Sequence, residues 1–185
     1  YSHLYKPGPY METWHRNGTP IDEPGHVTDL ITDEAIQWME QQENPFFCYL
    51  PFTAVHTPVR PPEEWFDRYA EVQVFEDPEK NEAFQRYAAY TSHMDHAVGR
   101  VVEMVKRLNI LERTIIIFCS DNGSVTYESP CDRLTYPGYR DDMQPTGCNA
   151  PLRGRKHTLY EGGIRTPTVF SWRNHVAPGK RDAVM

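Results

Sequence analysis

The chain has 185 residues, 39% of them hydrophobic and 24% charged, enough for one domain with a sizeable core. A formal net charge of −7 argues against a general nucleic-acid-binding role, and an anionic substrate would need a local basic site set against that field. No run of 18 apolar residues occurs, so no membrane span is expected, and no signal peptide is visible.

Residues 1–27 mix aromatic, Pro, Gly and His residues without a period and are expected to be irregular surface structure. From Thr28 the pattern turns helical, with Leu30, Ile31, Ala35, Trp38 and Met39 on one face. Thr28 is the expected N-cap, Asp29 suits the positive end of the helix dipole, and Asn44-Pro45 is the expected stop. Phe46 to Phe52 then reads as a buried strand, emptying into Thr53-Ala-Val-His56-Thr-Pro58. Pro61-Pro62-Glu63-Glu64-Trp65 starts a short helix.

Residues 79–108 carry the longest helical pattern. Phe84, Tyr87, Ala88, Thr91, Met94, Val98, Val101, Val102, Val105 and Leu108 repeat at three- and four-residue spacing. Asp95 falls on that stripe, where a neighbouring backbone group or cation would satisfy it. Thr114 to Gly123 is the stretch around which the chain is organised. Ile115 to Cys119 reads as a short strand buried on both faces, stopped by Ser120-Asp121-Asn122-Gly123. Ser124 to Asn149 forms a long aperiodic loop, and loops of this length usually carry function or disorder. A cationic, glycine-rich stretch from Pro151 to Gly163 follows, and then a third strand, Thr166 to Trp172. Strand, helix and strand joined by long crossovers predict an α/β fold with a mostly parallel sheet flanked by helices.

Four cysteines do not decide the compartment. Cys48 and Cys119 sit in predicted strands as expected reduced, buried thiols, while Cys131 and Cys148 share one polar loop, where a disulfide and two free thiols are both open.

Ligands of open α/β sheets bind outside the carboxyl ends of the strands, where Asp121 and Asn122 would lie. A carboxylate beside an amide carbonyl offers two hard oxygens, suited to Ca²⁺ or Mg²⁺ rather than zinc. The structural alternative is an Asx-type turn closing the strand. His56, the pair Asp121 and Asn122, and Arg153, Arg155 and Lys156 come from three strand-end loops. Together they supply a cation site, an imidazole and cationic donors, the set that binds a tetrahedral oxyanion.

Four stretches carry a family resemblance: Pro45-Phe-Phe-Cys-Tyr-Leu-Pro-Phe-Thr-Ala-Val-His-Thr-Pro58, Met94-Asp-His-Ala-Val-Gly-Arg100, Ile117-Phe-Cys-Ser-Asp-Asn-Gly123 and Pro151-Leu-Arg-Gly-Arg-Lys-His-Thr-Leu-Tyr-Glu-Gly-Gly-Ile-Arg165. The chain resembles the carboxyl part of the catalytic domain of type I sulfatases, in the alkaline-phosphatase-like superfamily. Leu152-Arg-Gly-Arg-Lys156 is most similar to the N-acetylgalactosamine 4-sulfatases (arylsulfatase B type). The resemblance implies one partial catalytic domain over residues 1–185, with 124–149 as a substrate-side loop. It implies Asp121 and Asn122 as two Ca²⁺ ligands, with Mg²⁺ as the other hard cation. Lys156 would contact the sulfate, and His56 would bind it and assist near the leaving oxygen. Asp-Asn rather than Asp-His sets the chain apart from the two-zinc phosphatases of the superfamily.

The family's nucleophile is a formylglycine made within a Cys/Ser-x-Pro-x-Arg motif toward the amino terminus, and no such motif occurs here. Cys148-Asn-Ala-Pro151-Leu-Arg153 has one residue too many between Cys and Pro. The 185-residue stretch alone is therefore expected to be inactive, with apolar faces of Phe46–Phe52 and Ile115–Cys119 left uncovered. The expected substrate is a sulfated carbohydrate or an aryl sulfate, and the compartment periplasmic, secreted or lysosomal. The alternatives are a non-catalytic module that binds sulfated glycans and a phosphatase or phosphodiesterase relative.

Overall fold

The computed structural model describes residues 15–21, 23–56, 59–125 and 147–179. They form two compact units: the first takes the described residues up to Val101, the second Val102–Val125 and the described residues from Gly147 onward.

The first unit opens on a hairpin, β1 (His15–Arg16) antiparallel to β2 (Thr19–Pro20), with His15 opposite Pro20. Asn17 and Gly18 have φ of 51° and 82°, the left-handed pair that a two-residue turn of matching twist requires. Residues 15–20 are thus ordered rather than irregular.

Helix α1 (Val27–Glu40) is capped by His26, not by Thr28. The His26 Nδ1 accepts the Thr28 backbone N–H at 3.2 Å, and Thr28 turns inward instead, fully buried. The helix buries Val27, Thr28, Thr32, Ala35 and Met39, and ends at a Gln41 cap before Asn44-Pro45 is reached. Residues 46–52 form no ladder among the described residues, Phe52 N–H instead bonding Leu50 O at 3.0 Å, and Phe47 and Tyr49 are 87% and 75% exposed. A strand exists only with a neighbour to share its hydrogen bonds, so the buried strand expected there is not formed.

Helix α2 (Glu63–Phe66) and a 3₁₀ turn (Asp67–Tyr69) bring Trp65 inside. Helix α3 (Pro78–Arg107) starts where the Asp77 carboxylate accepts the backbone N–H groups of Glu79 and Lys80 at 3.0 and 3.3 Å. In the first unit its buried line is Asn81, Gln85, Ala89, Tyr90, His93 and Ala97, rotated from the apolar stripe the periodicity predicts. The rotation has a polar cause. Asn81 Oδ1 accepts from Val74 N and Phe75 N (2.8 and 3.1 Å), its Nδ2 donates to Val72 O, and Gln85 Nε2 donates to Ala70 O and Val72 O. Two side-chain amides therefore satisfy the backbone of residues 70–75, and burying them costs little because every bond is made. Asp95 is exposed, not satisfied on a buried stripe. It borders an open depression of about 560 Å³ with Trp65, Arg68, Tyr69, Ser92 and His96.

Helices α1 and α3 are joined by a polar cluster. His93, 1% exposed, donates from Nε2 to Asp29 Oδ2 at 3.0 Å, and Arg100 lies 3.6 Å from the other oxygen. The His26 and His93 rings meet edge to face at 4.7 Å, with Trp65 against His93 at 5.5 Å. Ligand atoms of His26, Asp29 and His93 all lie within 4.8 Å of one another. Hydrogen bonding nevertheless commits His26: Nδ1 accepts from Thr28, so Nε2 carries the proton and faces the Arg60 carbonyl at 3.2 Å. In that tautomer His26 itself has no lone pair left for a cation.

In the second unit α3 closes with Asn109 at φ 56°. Asn109 N–H bonds Lys106 O (2.9 Å) and Ile110 N–H bonds Val105 O (3.2 Å), the paired closure of a Schellman end. A 3₁₀ turn (Leu111–Arg113) leads into β3 (Ile116–Cys119), which pairs antiparallel with β4 (Thr168–Ser171), Ile116 opposite Ser171. Both pairings among the described residues are antiparallel, and neither belongs to a parallel sheet. Cys119 and most of β3 are exposed rather than buried on both faces, with Ile117 60% and Val169 59% exposed, because among the described residues no second layer covers the two-stranded ladder. No helix among the described residues is long and apolar enough to cross a membrane.

Burial first, and then neighbouring positive charge including His93, lowers the His26 pKa to about 4. The unfolded imidazole takes up a proton near pH 6.5, so between those values the unfolded chain binds more protons and stability must fall as pH falls. Urea midpoints measured at about pH 7 and about pH 4.5 should show this loss. His26→Asn, which keeps a capping acceptor but does not titrate, should reduce it; an unchanged pH dependence would assign the effect to other groups.

Candidate functional site

The candidate site in the second unit is built where β3 stops. Ser120 N–H still bonds Pro167 O at 3.3 Å, next to β4, and its Oγ then donates to Asn122 O at 2.9 Å, closing a turn that exposes Asp121 and half-buries Asn122. Gly123 follows at a close crossing, its N–H on Gly163 O at 2.9 Å. A Cβ on Gly123 would sit 1.7 Å from Gly162 O, so glycine is obligatory there.

The partner in this crossing is the basic loop. Gly162 and Gly163 begin helix α4 (Glu161–Ile164) and are both buried. Gly162 N–H bonds Arg153 O at 2.7 Å, and Thr158 caps the intervening turn, accepting Arg155 N–H and donating to Arg155 O. Arg153 lies over the Tyr160 ring at 3.8 Å and donates to its hydroxyl at 2.8 Å. Lys156 is half-buried, and its backbone N–H bonds Ser124 O at 3.2 Å.

Backbone bonds thus join the turn of Asp121 and Asn122 to the loop of Lys156, through Gly123 N–H to Gly163 O and Lys156 N–H to Ser124 O. His56 belongs to the first unit. It is exposed there, on a turn closed by its N–H to Thr53 O at 2.8 Å. Cys48, Cys119 and Cys148 are free thiols, Cys148 exposed with Sγ facing Ala150 N at 3.4 Å; Cys131, and with it the loop staple, lies outside the described residues. So does most of the loop expected from Ser124 to Asn149.

Comparison with known proteins decides the family. The family model described as Sulfatase matches residues 2–185. The chain belongs to the sulfatase family. It is 33% identical over 176 residues to a sulfatase of Formosa agariphila, covering 89% of this chain and 27% of that protein. It is 28% identical over 158 residues to the N-acetylgalactosamine-6-sulfatase of Mus musculus, covering 84% of this chain and 25% of that one. The crystal structure of Ps i-CgsB in complex with k-i-k-neocarrahexaose superposes with a TM-score of 0.67 at 29% identity, over 86% of this chain and 31% of that one. The chain thus spans about a quarter of the length of the curated relatives it matches.

Within this sulfatase chain the donor set at Asp121 and Asn122 fits a hard cation: one carboxylate and one amide carbonyl on consecutive residues of a tight, partly exposed turn. The sequence reading missed Asn149, whose amide joins the turn to the basic loop. No local pattern marks such a residue.

Gly123→Ala should force the Asp121–Asn122 turn away from α4, at a cost of about 1–3 kcal/mol for an overpacked contact. Gly99→Ala, on α3 with nothing within 4 Å of the added methyl, should instead stabilise by about 0.5–1 kcal/mol. Thermal midpoints of the two variants check both signs, and equal shifts would mean that the crossing is not tight.

Proposed function

We propose that this chain carries part of the sulfate-ester site of a sulfuric ester hydrolase whose substrate is a sulfated carbohydrate. The supporting observation is the hydrogen-bonded union of a two-oxygen cation turn with the loop of Lys156. In this reading Asp121 and Asn122 contribute oxygens to a bound Ca²⁺ (Mg²⁺ being the alternative), which supplies positive charge beside the sulfate. A divalent cation of this kind takes six or more oxygens, so further ligands come from residues other than these two. The nucleophile, a formylglycine in this proposal, likewise comes from outside the chain.

Lys156 brings a compact ammonium, held by its loop beside the cation turn, to oppose the charge that grows on the sulfate oxygens. His56 binds the ester and gives a proton to the leaving alcohol oxygen. A sugar alkoxide is a poor leaving group and needs that proton, whereas an aryl oxide does not. The N-acetylgalactosamine-6-sulfatase relative, and the neocarrahexaose bound to Ps i-CgsB, favour a sulfated glycan over a small aryl sulfate. A periplasmic, secreted or lysosomal setting accords with such a substrate.

In the full-length protein, Lys156→Ala should lower kcat/KM on any sulfate ester by about 3–4 kcal/mol, by analogy with loss of one oxyanion donor. His56→Ala should cost more on a sugar sulfate than on 4-nitrophenyl sulfate. Equal losses on the two esters would leave His56 a binding residue only. A Lys156→Ala variant that loses glycan binding from a wild type without turnover would favour a binding module instead.

Metal analysis supplies the second test. The purified protein should hold stoichiometric calcium or magnesium that Asp121→Ala releases. Stoichiometric zinc without calcium would move the chain toward the phosphatase relatives of the superfamily.

A further inference from the structure

We propose that Asn149 is a positioning residue that couples the cation turn to the lysine loop; this rests on the function proposed for Asp121, Asn122 and Lys156. Its half-buried amide spends both ends on one junction. Oδ1 accepts the Ser124 backbone N–H at 2.9 Å, while Nδ2 donates to Ser124 O at 2.9 Å and to Gly154 O at 3.3 Å. Ser124 lies two residues beyond Asn122, and Gly154 two residues before Lys156. The same Ser124 carbonyl also accepts the Lys156 backbone N–H at 3.2 Å. One carbonyl therefore receives both the Asn149 side chain and the backbone of the sulfate-facing lysine.

The amide is matched to this task chemically. Pairing with both the N–H and the C=O of a single residue needs a donor and an acceptor side by side, which only Asn and Gln provide. Leu would take the Asn149 bond from Ser124 N–H, Ser124 O and Gly154 O in a half-buried junction, leaving Ser124 O only its bond from Lys156, and Asp would place a carboxylate against two carbonyl oxygens. Gly154, at φ 90°, presents its carbonyl to Asn149 from a left-handed conformation, so the loop is shaped to reach the amide. The adjoining Gly123–Gly163 crossing fixes the other side of the turn by backbone contact.

Residues that orient ligands without touching them commonly change metal affinity or activity by about 10- to 100-fold. The test uses the full-length sulfatase and three variants. Asn149→Ala removes the junction. Asn149→Asp keeps only the acceptor. Gln85→Ala removes an amide that likewise satisfies loop carbonyls, but in the first unit. For each, calcium affinity is measured by titration calorimetry, kcat and KM on 4-nitrophenyl sulfate, and the thermal midpoint.

Asn149→Ala should weaken calcium binding and lower kcat by about 10- to 100-fold with KM nearly unchanged, Asn149→Asp, whose carboxylate faces two carbonyl oxygens, should lose at least as much, and Gln85→Ala should lower the midpoint alone. Asn149→Ala and Gln85→Ala with the same kinetic and calcium profile would overturn the positioning role. So would failure of both Asn149 variants to fold, which would make the residue a folding determinant. If Asp121→Ala and Lys156→Ala leave turnover intact, the functional reading itself fails. If they abolish it while Asn149→Ala does not, only the role of Asn149 falls.

Discussion

The candidate site depends on one steric constraint: backbone segments approach so closely at Gly123 that no side chain fits. With the Gly162 carbonyl 1.7 Å from where a Cβ would stand, the turn holding Asp121 and Asn122 is set directly against the first residues of α4. Everything else in this part of the second unit follows from that contact. Gly163 O takes the Gly123 N–H, Gly162 N–H takes Arg153 O, and Lys156 lies on the loop between. A site made of backbone crossings has few torsions to adjust. That rigidity is what charge stabilisation needs, since donors already in place cost no reorganisation during reaction.

The first unit uses a different device. Its polar groups are inside, yet their bonds are made: Asn81 and Gln85 satisfy the loop at 70–75, and His93 ties α3 to Asp29 on α1. Such networks fix one arrangement at modest net gain, because each bond replaces one to water. Among the described residues the exceptions are Thr28 Oγ1 and His93 Nδ1, both buried without partners. Those two atoms lie at the His26 cap and on the ring beside it, where the polar cluster is densest and its geometry most constrained.

The second unit also exposes apolar residues that sheet faces ordinarily hide. Phe118, Phe170 and Ile164 join Ile117 and Val169 in this. The composition of β3 is that of a strand covered on both faces, while its surroundings in this chain are those of an edge pair. Relatives about four times longer share the family.

The family and its residue types could be read in the sequence, because the resemblance rests on short stretches whose order survives in one dimension. Local chemistry was partly legible: α3, read over 79–108, and β3 each fell within a residue of their bounds, whereas the Asn17-Gly18 turn lies in a stretch read as irregular. Long-range choices were not. His26 displaced Thr28 as the cap of α1 because Thr28 was needed inside, and the buried line of α3 turned toward amides whose partners lie six to fifteen residues earlier. Asn149 could not be singled out, since its worth comes from Ser124, 25 residues away. The sequence by itself determined which chemical groups are available and which segments can be helix or strand, since propensity and turn chemistry act over a few residues. Only the tertiary structure decided which polar groups would be buried and which loops would cross, because those depend on partners that become neighbours only when the chain has folded.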